Sequence, residues 1–427
     1  MSGKLYSGAF PVNIAVVGSG ISGLSVAYLL SRAHRVELFE REPRLGGHAH
    51  THSVERGGRR IALDSGFIVY NRRTYPNFVR LLDELGVRSR LSDMSFGIRC
   101  RRCRLEFSTR GFSGLFAQPR RLADPAHWRM LADVRRFYQR ARVLLDGPGE
   151  ADPSLGEFLE IGGYSSGFLR HFLLPMAGAI WSASGEDILS FPARSFLRFY
   201  DNHGLLSASG APPWWTIEGG SRTYVDAIAA RLSGPIHLDA PVRTVTRDPE
   251  GVEIQAAGGL RKRFDRVVLA THADEALTLL ADASPAEADA LGCFRYSSNP
   301  TVLHTDGSAL PSIAAARASW NCDLTDCRDQ RAPVSVTYDL ARLHALDAGM
   351  TFCVSLNRPR PADEHVVAEM TYTHPVMDSR AFGAQARVLA LNGVNRTYYC
   401  GAHLGYGFHE DGLVSALGVS NQFGIAL

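Results

Sequence analysis

The chain has 427 residues, of which 45% are hydrophobic and 21% charged, and this balance is typical of a globular protein with two domains. A net charge of only +3, with no strongly basic domain or recognition motif, excludes a nucleic-acid-binding protein. No apolar run approaches the ~18 residues that a membrane span needs, and the first run, at 14–17, is too short for a signal peptide. We therefore expect a cytoplasmic protein.

The first predicted element is a β-branched strand at 13–17, which runs into the turn GSGISG at 18–23. Apolar positions at helical spacing follow, and a second strand at 36–39 ends at Glu40. A G-x-G-x-x-G turn between a strand and a helix, with an acidic residue ending the next strand, is the fingerprint of dinucleotide binding. The sequence therefore predicts a Rossmann-type βαβ unit.

Each glycine of this turn has its own physical role. Gly18 permits the tight turn, Gly20 leaves room for a pyrophosphate against the backbone, and Gly23 lets the helix pack closely on the sheet. The helix N-terminus offers free N–H groups to the diphosphate, and Glu40 can accept hydrogen bonds from the adenosine ribose. The residues predicted to bind the cofactor here are Gly18, Ser19, Gly20, Ile21, Ser22, Gly23 and Glu40.

The segment after Glu40, residues 41–48 (REPRLGGH), resembles the E-x-x-x-R-x-G-G-R stretch of the FAD-dependent amine oxidase and phytoene desaturase superfamily. In that superfamily the arginine and the glycines lie along the diphosphate and ribityl chain of FAD. The resemblance implies that FAD is the cofactor, with His48 in place of the family's last arginine. It adds to the predicted FAD contacts Arg41, Arg44, Gly46, Gly47 and His48.

Later segments resemble the same superfamily in the same order. They are residues 217–221, 241–245, 264–272, 399–402 and 411–416. The resemblance places Val242 against the adenine, and Gly401, Gly412 and Leu413 near the flavin. The chain has no second G-x-G-x-x-G, so a reductase with a separate NADPH domain is not expected.

Because these segments alternate with the rest of the chain, we predict an α/β fold in which a discontinuous Rossmann-like FAD/NAD(P)-binding domain is interleaved with an α+β substrate domain. The FAD-binding domain is predicted over residues 11–80, 215–275 and 390–427. The substrate domain is predicted over residues 81–214 and 276–389.

A closer resemblance is to a bacterial subfamily of predicted NAD/FAD-binding oxidoreductases, through the strings GGHAHT (46–51), LDSGFIVYNRRTYPNF (63–78) and GYGFHEDGL (405–413). Its members are often encoded beside, or fused to, cyclopropane-fatty-acyl-phospholipid synthase-like methyltransferases. The resemblance implies an FAD-dependent oxidoreductase of phospholipid acyl chains, as a desaturase or a related oxidase or reductase. Two alternatives stay open: an oxidase of amines or small amphiphiles, and an FAD-bearing partner subunit of a lipid methyltransferase.

Candidates for the chemical step cluster in the loop that leads into the last predicted helix. They are His403, Tyr406, His409 and Glu410. Imidazole, phenol and carboxyl groups are the usual donors and acceptors of protons in catalysis, so we expect one of these to contact the substrate or the flavin. The alternative is that they shape the loop and bond backbone groups near a helix start.

Lysine is nearly absent, with only Lys4 and Lys262 among 46 basic residues. In many amine oxidases of this superfamily a buried lysine holds a water against the flavin. Lys4 precedes the first predicted strand, and Lys262 falls in a polar hairpin turn predicted at 258–263. Neither is expected to reach the flavin, so amine oxidation assisted by that lysine is disfavoured.

Two clusters raise the question of a metal. His48, His50 and His52 alternate, so on an extended segment they share one face, but no nearby carboxylate completes a site in the sequence. Residues 100–103 form a C-x-x-C, for which the cysteines of 322–327 make a poor second pair. We therefore predict structural roles for these residues and no metal site.

The region 81–145 is locally basic, with 14 arginines against 6 acidic residues, a balance of +8. Phe112, Phe116 and Trp128 lie among these arginines. Aromatic rings beside arginines suit a membrane interface, with the arginine heads at lipid phosphates, and equally suit a buried helix face with solvated arginines. Both interpretations stay open. The first predicts a protein bound to the inner face of the membrane and a substrate that is a lipid or another small molecule.

Overall fold

The computed structural model describes residues 11–147, 152–207, 211–346 and 350–427. The strands are β1 (Asn13–Val17), β2 (Arg35–Phe39), β3 (Thr51–Arg56), β4 (Arg59–Asp64), β5 (Tyr70–Asn71), β6 (Ser89–Ser92), β7 (Phe96–Cys100), β8 (Leu105–Ser108), β9 (Trp214–Ile217), β10 (Ile236–His237), β11 (Val242–Asp248), β12 (Gly251–Ala256), β13 (Arg261–Phe264), β14 (Arg266–Leu269), β15 (Arg295–His304), β16 (Trp320–Leu324), β17 (Val336–Asp339), β18 (Cys353–Leu356), β19 (Val366–Val376) and β20 (Thr397–Tyr399). The helices are α1 (Ile21–Leu30), α2 (Pro76–Leu85), α3 (Gly111–Leu115), α4 (Pro125–Asp146), α5 (Leu155–Gly162), α6 (Ser166–Phe168), α7 (Leu174–Trp181), α8 (Gly185–Leu189), α9 (Ala193–Asn202), α10 (Arg222–Ala229), α11 (Ala273–Leu279), α12 (Pro285–Leu291), α13 (Leu340–Leu343), α14 (Ser379–Ala390) and α15 (His409–Gln422).

A parallel sheet in the order β10-β2-β1-β14-β20 forms the centre of the first layer. The side chains of β1 alternate between its faces, since Ile14 packs with α1 and α15 while Ala15 packs with the helices α12 and α14 on the other side. Because both faces of β1 are buried, its sequence is apolar at successive positions and does not alternate with polar residues. The predicted Rossmann-type α/β fold is confirmed.

A mixed sheet in the order β19-β15-β18-β17-β16-β7-β8 forms the second layer. Its neighbouring strands are antiparallel except for β16 and β7, which run parallel. Helices α4, α5, α7 and α9 pack with this sheet around a core rich in aromatic rings, including Phe137, Phe196 and Tyr200. This layer comes from chain segments that alternate with those of the parallel sheet.

The strands of these two sheets fall inside the ranges predicted for the corresponding domains, but the small sheet β5-β9-β6 and several helices cross those limits. Helix α2 extends past residue 80 and packs on α1 and α15 through Phe78 and Leu81. Helices α12 and α14, predicted in the substrate domain, pack against the parallel sheet through Leu291 and Ala384. The two-domain division stays a prediction, and these contacts favour wider limits for the nucleotide-binding part.

Two other features bear on the sequence predictions. Lys262 lies in strand β13 rather than in a turn, and its Nζ donates to Glu37 Oε2 at 2.8 Å. Lys4 lies outside the described residues. In the part of the chain that the structure describes, no helix is both long and apolar enough to cross a membrane.

Candidate active site

One cavity of about 1560 Å³ extends from the carboxyl ends of the parallel strands to the helices of the second layer. At one end it is lined by Gly18, Gly20 and Glu40, and at the other by Leu131 and Tyr138 of α4. The crevice at the carboxyl ends of parallel strands is where α/β proteins bind dinucleotides. Pockets for drug-sized ligands measure roughly 300–1,000 Å³, so this cavity has room for two ligands end to end.

The glycines of the first turn divide into those that pack and one that faces the cavity. Gly18 has φ +97°, and a Cβ there would lie 2.8 Å from the Ala270 carbonyl oxygen. A Cβ on Gly23 would lie 1.8 Å from the Gly18 oxygen. A Cβ on Gly20 would meet no atom of the described residues within 4 Å, because this glycine borders the open cavity. The space beside Gly20 is where the predicted pyrophosphate would lie.

Hydrogen bonds connect Glu40 and the loop after it to the glycine turn at 18–23. The Ser19 backbone N–H donates to Glu40 Oε2 at 2.9 Å, and Glu40 is only 8% exposed. The Gly46 N–H donates to the Ser19 carbonyl at 3.0 Å, and Arg44 Nη1 donates to the Gly47 carbonyl at 2.9 Å. These bonds hold an arginine and a carboxylate at the cavity wall beside the glycine turn.

Most of the residues predicted to bind the cofactor line this cavity. They are Gly18, Ser19, Gly20, Ile21, Ser22, Glu40, Arg41, Arg44, Gly47, His48, Val242 and Gly401. Gly23, Gly46, Gly412 and Leu413 are not among the lining residues. A Cβ on Gly412 would lie 2.7 Å from Ile21 Cγ2, so Gly412 permits close packing of α15 on α1, and Leu413 is fully buried in the same contact.

Glu410 and Tyr406 are not among the residues that line the cavity, and the catalytic role of each stays a prediction. The Glu410 carboxylate accepts hydrogen bonds from the backbone N–H groups of Asn77 and Phe78, at 3.0 and 2.9 Å. The carboxylate therefore binds backbone N–H groups in the first turn of α2, which have no partner within the helix. The Tyr406 ring packs against Phe199, with centroids 5.6 Å apart.

His403 and His409 do line the cavity. The His409 ring stacks on Phe67 with centroids 3.6 Å apart, and its Nε2 lies 3.0 Å from the Tyr224 hydroxyl. Burial lowers the pKa of each histidine to about 3, so both rings are neutral at neutral pH. His403 Nε2 is buried without a hydrogen-bond partner among the described residues.

A second group of polar side chains, on β19, was not predicted. The Tyr372 hydroxyl lies 2.7 Å from Ser65 Oγ and 3.1 Å from His50 Nδ1. Burial raises the pKa of Tyr372 to about 12 and lowers the pKa of His374 to about 4. Because side chains alternate along a strand, Tyr372 and His374 lie on one face of β19. That face contacts His48, whose ring centroid lies 5.2 Å from that of His374. Nothing in the sequence indicates this contact.

The three alternating histidines do not converge on one point suited to a metal. His48 packs against Tyr372, with ring centroids 4.9 Å apart, while His52 Nε2 lies 2.9 Å from Ser65 Oγ. Burial lowers the pKa of His48 well below its usual range, and that of His50 to about 3. His48 Nε2 is a further buried nitrogen without a partner among the described residues.

The far end of the cavity is apolar. Its wall includes Met94, Phe96, Leu115, Leu131, Val134, Tyr138, Phe172, Met176, Ile180, Trp320 and Tyr338. The exposed side chain of Arg135 also lines the cavity, one turn of α4 after Leu131. This end therefore suits a long hydrophobic ligand with an anionic group near its mouth.

Comparison with known proteins identifies related chains. A family model described as flavin containing amine oxidoreductase matches residues 21–302. The protein named flavin-containing monoamine oxidase AofH of Mycobacterium tuberculosis is 27% identical over 262 residues, which cover 58% of this chain and 54% of that protein. The carotenoid phi-ring synthase of Streptomyces griseus is 40% identical over 85 residues, covering 19% and 16% of the two chains. The chain thus spans about half the length of the first of these curated relatives.

Solved structures with the same fold cover nearly the whole chain. A CLA-producing fatty acid isomerase from P. acnes superposes with a TM-score of 0.67 at 17% identity, over 96% of this chain and 98% of that one. Putrescine oxidase bound to putrescine gives a TM-score of 0.64 at 15% identity, over 97% and 98% of the two chains. At these identities the likeness concerns the fold alone.

Proposed function

The chain belongs to the family of flavin-containing amine oxidoreductases, so its cofactor is FAD, and we propose that it is an oxidoreductase acting on the acyl chain of an amphipathic lipid. The reaction is a desaturation or a related oxidation or reduction. The observation that carries this proposal is that one cavity extends from the nucleotide-binding turn to an apolar chamber.

The residues present at the first end fit FAD. Gly20 borders open space, Arg44 offers a positive charge beside it, and Glu40 lies at the end of β2. Two buried nitrogens, His48 Nε2 and His403 Nε2, lack partners among the described residues. A buried polar atom left unpaired costs about 1–3 kcal/mol, which favours a bound group that contacts them. When bound, FAD supplies the two-electron redox step.

The apolar end fits an acyl chain better than a small polar substrate. Burial of each CH₂ group is worth about 0.8 kcal/mol, so a long chain gains affinity along the whole chamber. The same wall excludes water from the reacting carbon atoms. A solved fatty acid isomerase with the same fold supports the proposal that this architecture accommodates a fatty acyl substrate.

The chain's own residues can move the proton that such a reaction requires. His374, His403 and His409 are neutral because burial lowers the pKa of each, so one ring nitrogen of each carries no proton, and the same burial makes each a weaker base than a solvated imidazole. Tyr372 stays protonated because burial raises its pKa to about 12, so its hydroxyl can donate a hydrogen bond. We propose that the base is one of these histidines rather than Tyr406 or Glu410.

An amine substrate is the second candidate, because relatives and solved structures include proteins named as amine oxidases. Lys262, the one lysine within the described residues, is bound to Glu37 on the parallel sheet and does not line the cavity. Several acidic lining residues, Glu40 among them, belong to the nucleotide end, and Glu369 is paired with Arg360 at 2.9 Å. The apolar end therefore offers little to a cationic amine.

We also propose that the protein contacts the membrane surface through α3 and the first turn of α4. Phe112 and Trp128 are 66% and 47% exposed, although both pack on Phe116. Gly111 and Leu115 of α3 line the cavity, so these exposed rings lie beside a path into it. Exposed aromatic rings beside a cavity suit extraction of a lipid from a bilayer. A lipid methyltransferase partner stays a prediction.

Lipid profiles of cells with and without the protein test the proposed substrate. We expect cells with the wild-type protein to show altered unsaturation or branching of phospholipid acyl chains. Cells with the Gly20→Val variant, in which the side chain fills the cofactor space, should match cells without the protein. Identical profiles in all three, with soluble FAD-loaded wild type present, would overturn the lipid proposal.

A further inference from the structure

Four side chains with metal-binding atoms meet in the second layer, away from the residues assigned to FAD. They are Cys100, Cys103, His171 and Cys327, and their sulfur and nitrogen ligand atoms all lie within 4.8 Å of one another. Cys100 ends β7 and Cys103 lies in the turn before β8, while Cys327 follows β16. His171 precedes α7. Segments far apart in the sequence thus converge on one point.

The spacing of the sulfur atoms fits a shared metal better than a disulfide. Cys103 Sγ and Cys327 Sγ are 3.6 Å apart, and all the cysteines of the described structure are free thiols. A disulfide bond measures about 2.0 Å. Zinc–sulfur bonds of about 2.3 Å at tetrahedral angles place two sulfur ligands about 3.8 Å apart. The pair is therefore already close to the edge length of a tetrahedral site.

The turn at Cys100–Cys103 has the form of a metal-binding loop. It joins the antiparallel strands β7 and β8, and Arg104 after it has φ +48°, a left-handed conformation that tightens the turn. The C-x-x-C spacing of this turn is one that zinc sites use for two of their cysteine ligands.

The fourth side chain, His171, is placed by an irregular helix. Residues Leu169–Leu173 form a π-helical turn between α6 and α7, and such turns are rare and occur frequently at functional sites. His171 Nε2 is buried and has no hydrogen-bond partner among the described residues. One ring nitrogen of His171 lies within 4.8 Å of the three sulfur atoms, which is close enough for a shared metal ion.

Local charge is also favourable. Three thiolates and a neutral histidine around a divalent cation carry a net charge of −1. Arg121 Nη2 donates to the Cys103 carbonyl at 3.4 Å, Arg120 donates to the Arg104 carbonyl at 2.9 Å, and Arg102 belongs to the turn itself. Part of the basic excess of region 81–145 thus lies beside this cluster, where positive charge offsets a net charge of −1.

We propose that Cys100, Cys103, His171 and Cys327 bind one zinc ion in a structural Cys₃His site. Binding would release the thiol protons and join the β7–β8 turn, the loop after β16 and the helix that carries His171. Phe172, the next residue, lines the apolar end of the cavity, so the ion would fix one wall of the substrate chamber. The expectation of no metal site considered only pairs close in sequence.

The pairing considered from sequence, Cys322 with Cys327, does not form. Cys322 lies on β16, fully buried in the second-layer core, and its sulfur lies 3.4 Å from the Pro175 carbonyl oxygen. Cys327 joins the C-x-x-C turn instead, since the parallel pairing of β16 with β7 brings the ends of both strands together. The missing ligands were thus supplied by tertiary structure.

Metal analysis of the purified holoenzyme tests the proposal. We expect about one zinc ion per chain in the wild type. Cys103→Ser, an exposed position, should lower zinc content at least tenfold while keeping the FAD absorbance. Cys293→Ser serves as the matched control, because Cys293 lies outside the cluster, and it should keep its zinc. Zinc content unchanged in Cys103→Ser would overturn the proposal.

A second measurement covers the case in which Cys103→Ser fails to fold. Wild-type protein is treated with an organomercurial that binds thiols, and a zinc indicator reports released metal while the FAD spectrum is followed. Release of about one zinc ion per chain supports the site. A wild type that contains no zinc after growth with added zinc, and that does not bind zinc when reduced, contradicts it. A Cys103–Cys327 disulfide found by mass spectrometry would also contradict it.

Discussion

The two ends of the cavity are built in different ways. The nucleotide end takes its glycine turn, its carboxylate and its arginine from residues 18–44, a single βαβ unit and the loop after it. The apolar end takes its wall from α3, α4, α7 and strands of the second sheet, which are distant in sequence. Cofactor binding is thus a local property of the chain and substrate binding a tertiary one, and the two should be separable by mutation.

The largest expected effect is that of Gly20→Val at the nucleotide end. The backbone there is extended, with φ −63° and ψ −179°, so valine is tolerated by the fold but projects into the open space beside the turn. We expect loss of FAD from a folded protein. Gly418→Val is the matched control, because a side chain there also meets no described atom within 4 Å and lies away from the cavity. Absorbance of the purified variants measures bound flavin.

A Gly20→Val variant with a normal flavin spectrum would place the cofactor elsewhere. Denaturation of the wild type should release the flavin into the supernatant if it is not covalently attached, and chromatography of the supernatant distinguishes FAD from FMN. We expect free FAD there. Flavin retained on the chain, or FMN, would contradict the assignment of the site.

Glu40→Ala should have a smaller effect at the same end. The carboxylate accepts a hydrogen bond from the Ser19 N–H and is predicted to accept others from the ribose, so its loss should weaken FAD binding by about 1–3 kcal/mol. Glu218→Ala removes a surface carboxylate paired with Arg88 and should leave FAD affinity unchanged. Titration of the apoprotein with FAD checks both. Equal affinities in the two variants would remove Glu40 from the site.

The residues that could be predicted from the sequence lie mainly at the nucleotide end of the cavity, and those that could not lie mainly elsewhere. The turn at 18–23 and Glu40 could be recognised because each residue's role is fixed by its immediate neighbours. Tyr372 and His374 could not, since the register of β19 decides what they face. The partner of Glu410 could not be predicted either, because the backbone N–H groups that it accepts from belong to another helix, α2, which is distant in sequence.

Leu131→Asp tests the apolar end. A carboxylate on this wall must be desolvated when an acyl chain binds, so we expect the KM for a long-chain lipid to rise at least tenfold, with FAD binding unchanged. Val143→Asp is the matched control, since Val143 lies on the same helix and is 74% exposed. Steady-state kinetics with lipid substrate compares the two. An equal KM in both variants would show that the chamber does not hold the acyl chain.

The expected effect most sensitive to salt concerns binding to the membrane. Arg101, Arg102 and Arg136 are paired with Asp323, Asp326 and Asp133, at 2.7, 2.9 and 2.9 Å, and they are therefore poor candidates for lipid contacts. The exposed arginines of α4 are better candidates.

Changing Arg129 and Arg135 together to Gln should weaken binding to anionic vesicles about thirtyfold at low salt, because each surface arginine contributes about 1 kcal/mol. Wild-type binding should itself fall as salt rises. Arg380→Gln on α14 is the control and should bind as the wild type does. If the wild type does not bind anionic vesicles at low salt, the proposed membrane contact is excluded. The assignment of the FAD site does not depend on that result.

An anaerobic titration of the oxidised, FAD-loaded enzyme with saturated acyl lipids of increasing chain length and, separately, with putrescine tests the proposed substrate class. We expect the flavin absorbance to change with the lipids, with an affinity that rises with chain length by about 0.8 kcal/mol per CH₂ group until the chamber is filled. We expect no change with putrescine. Reduction of the flavin by putrescine, with no response to any acyl lipid, would contradict the proposed substrate class.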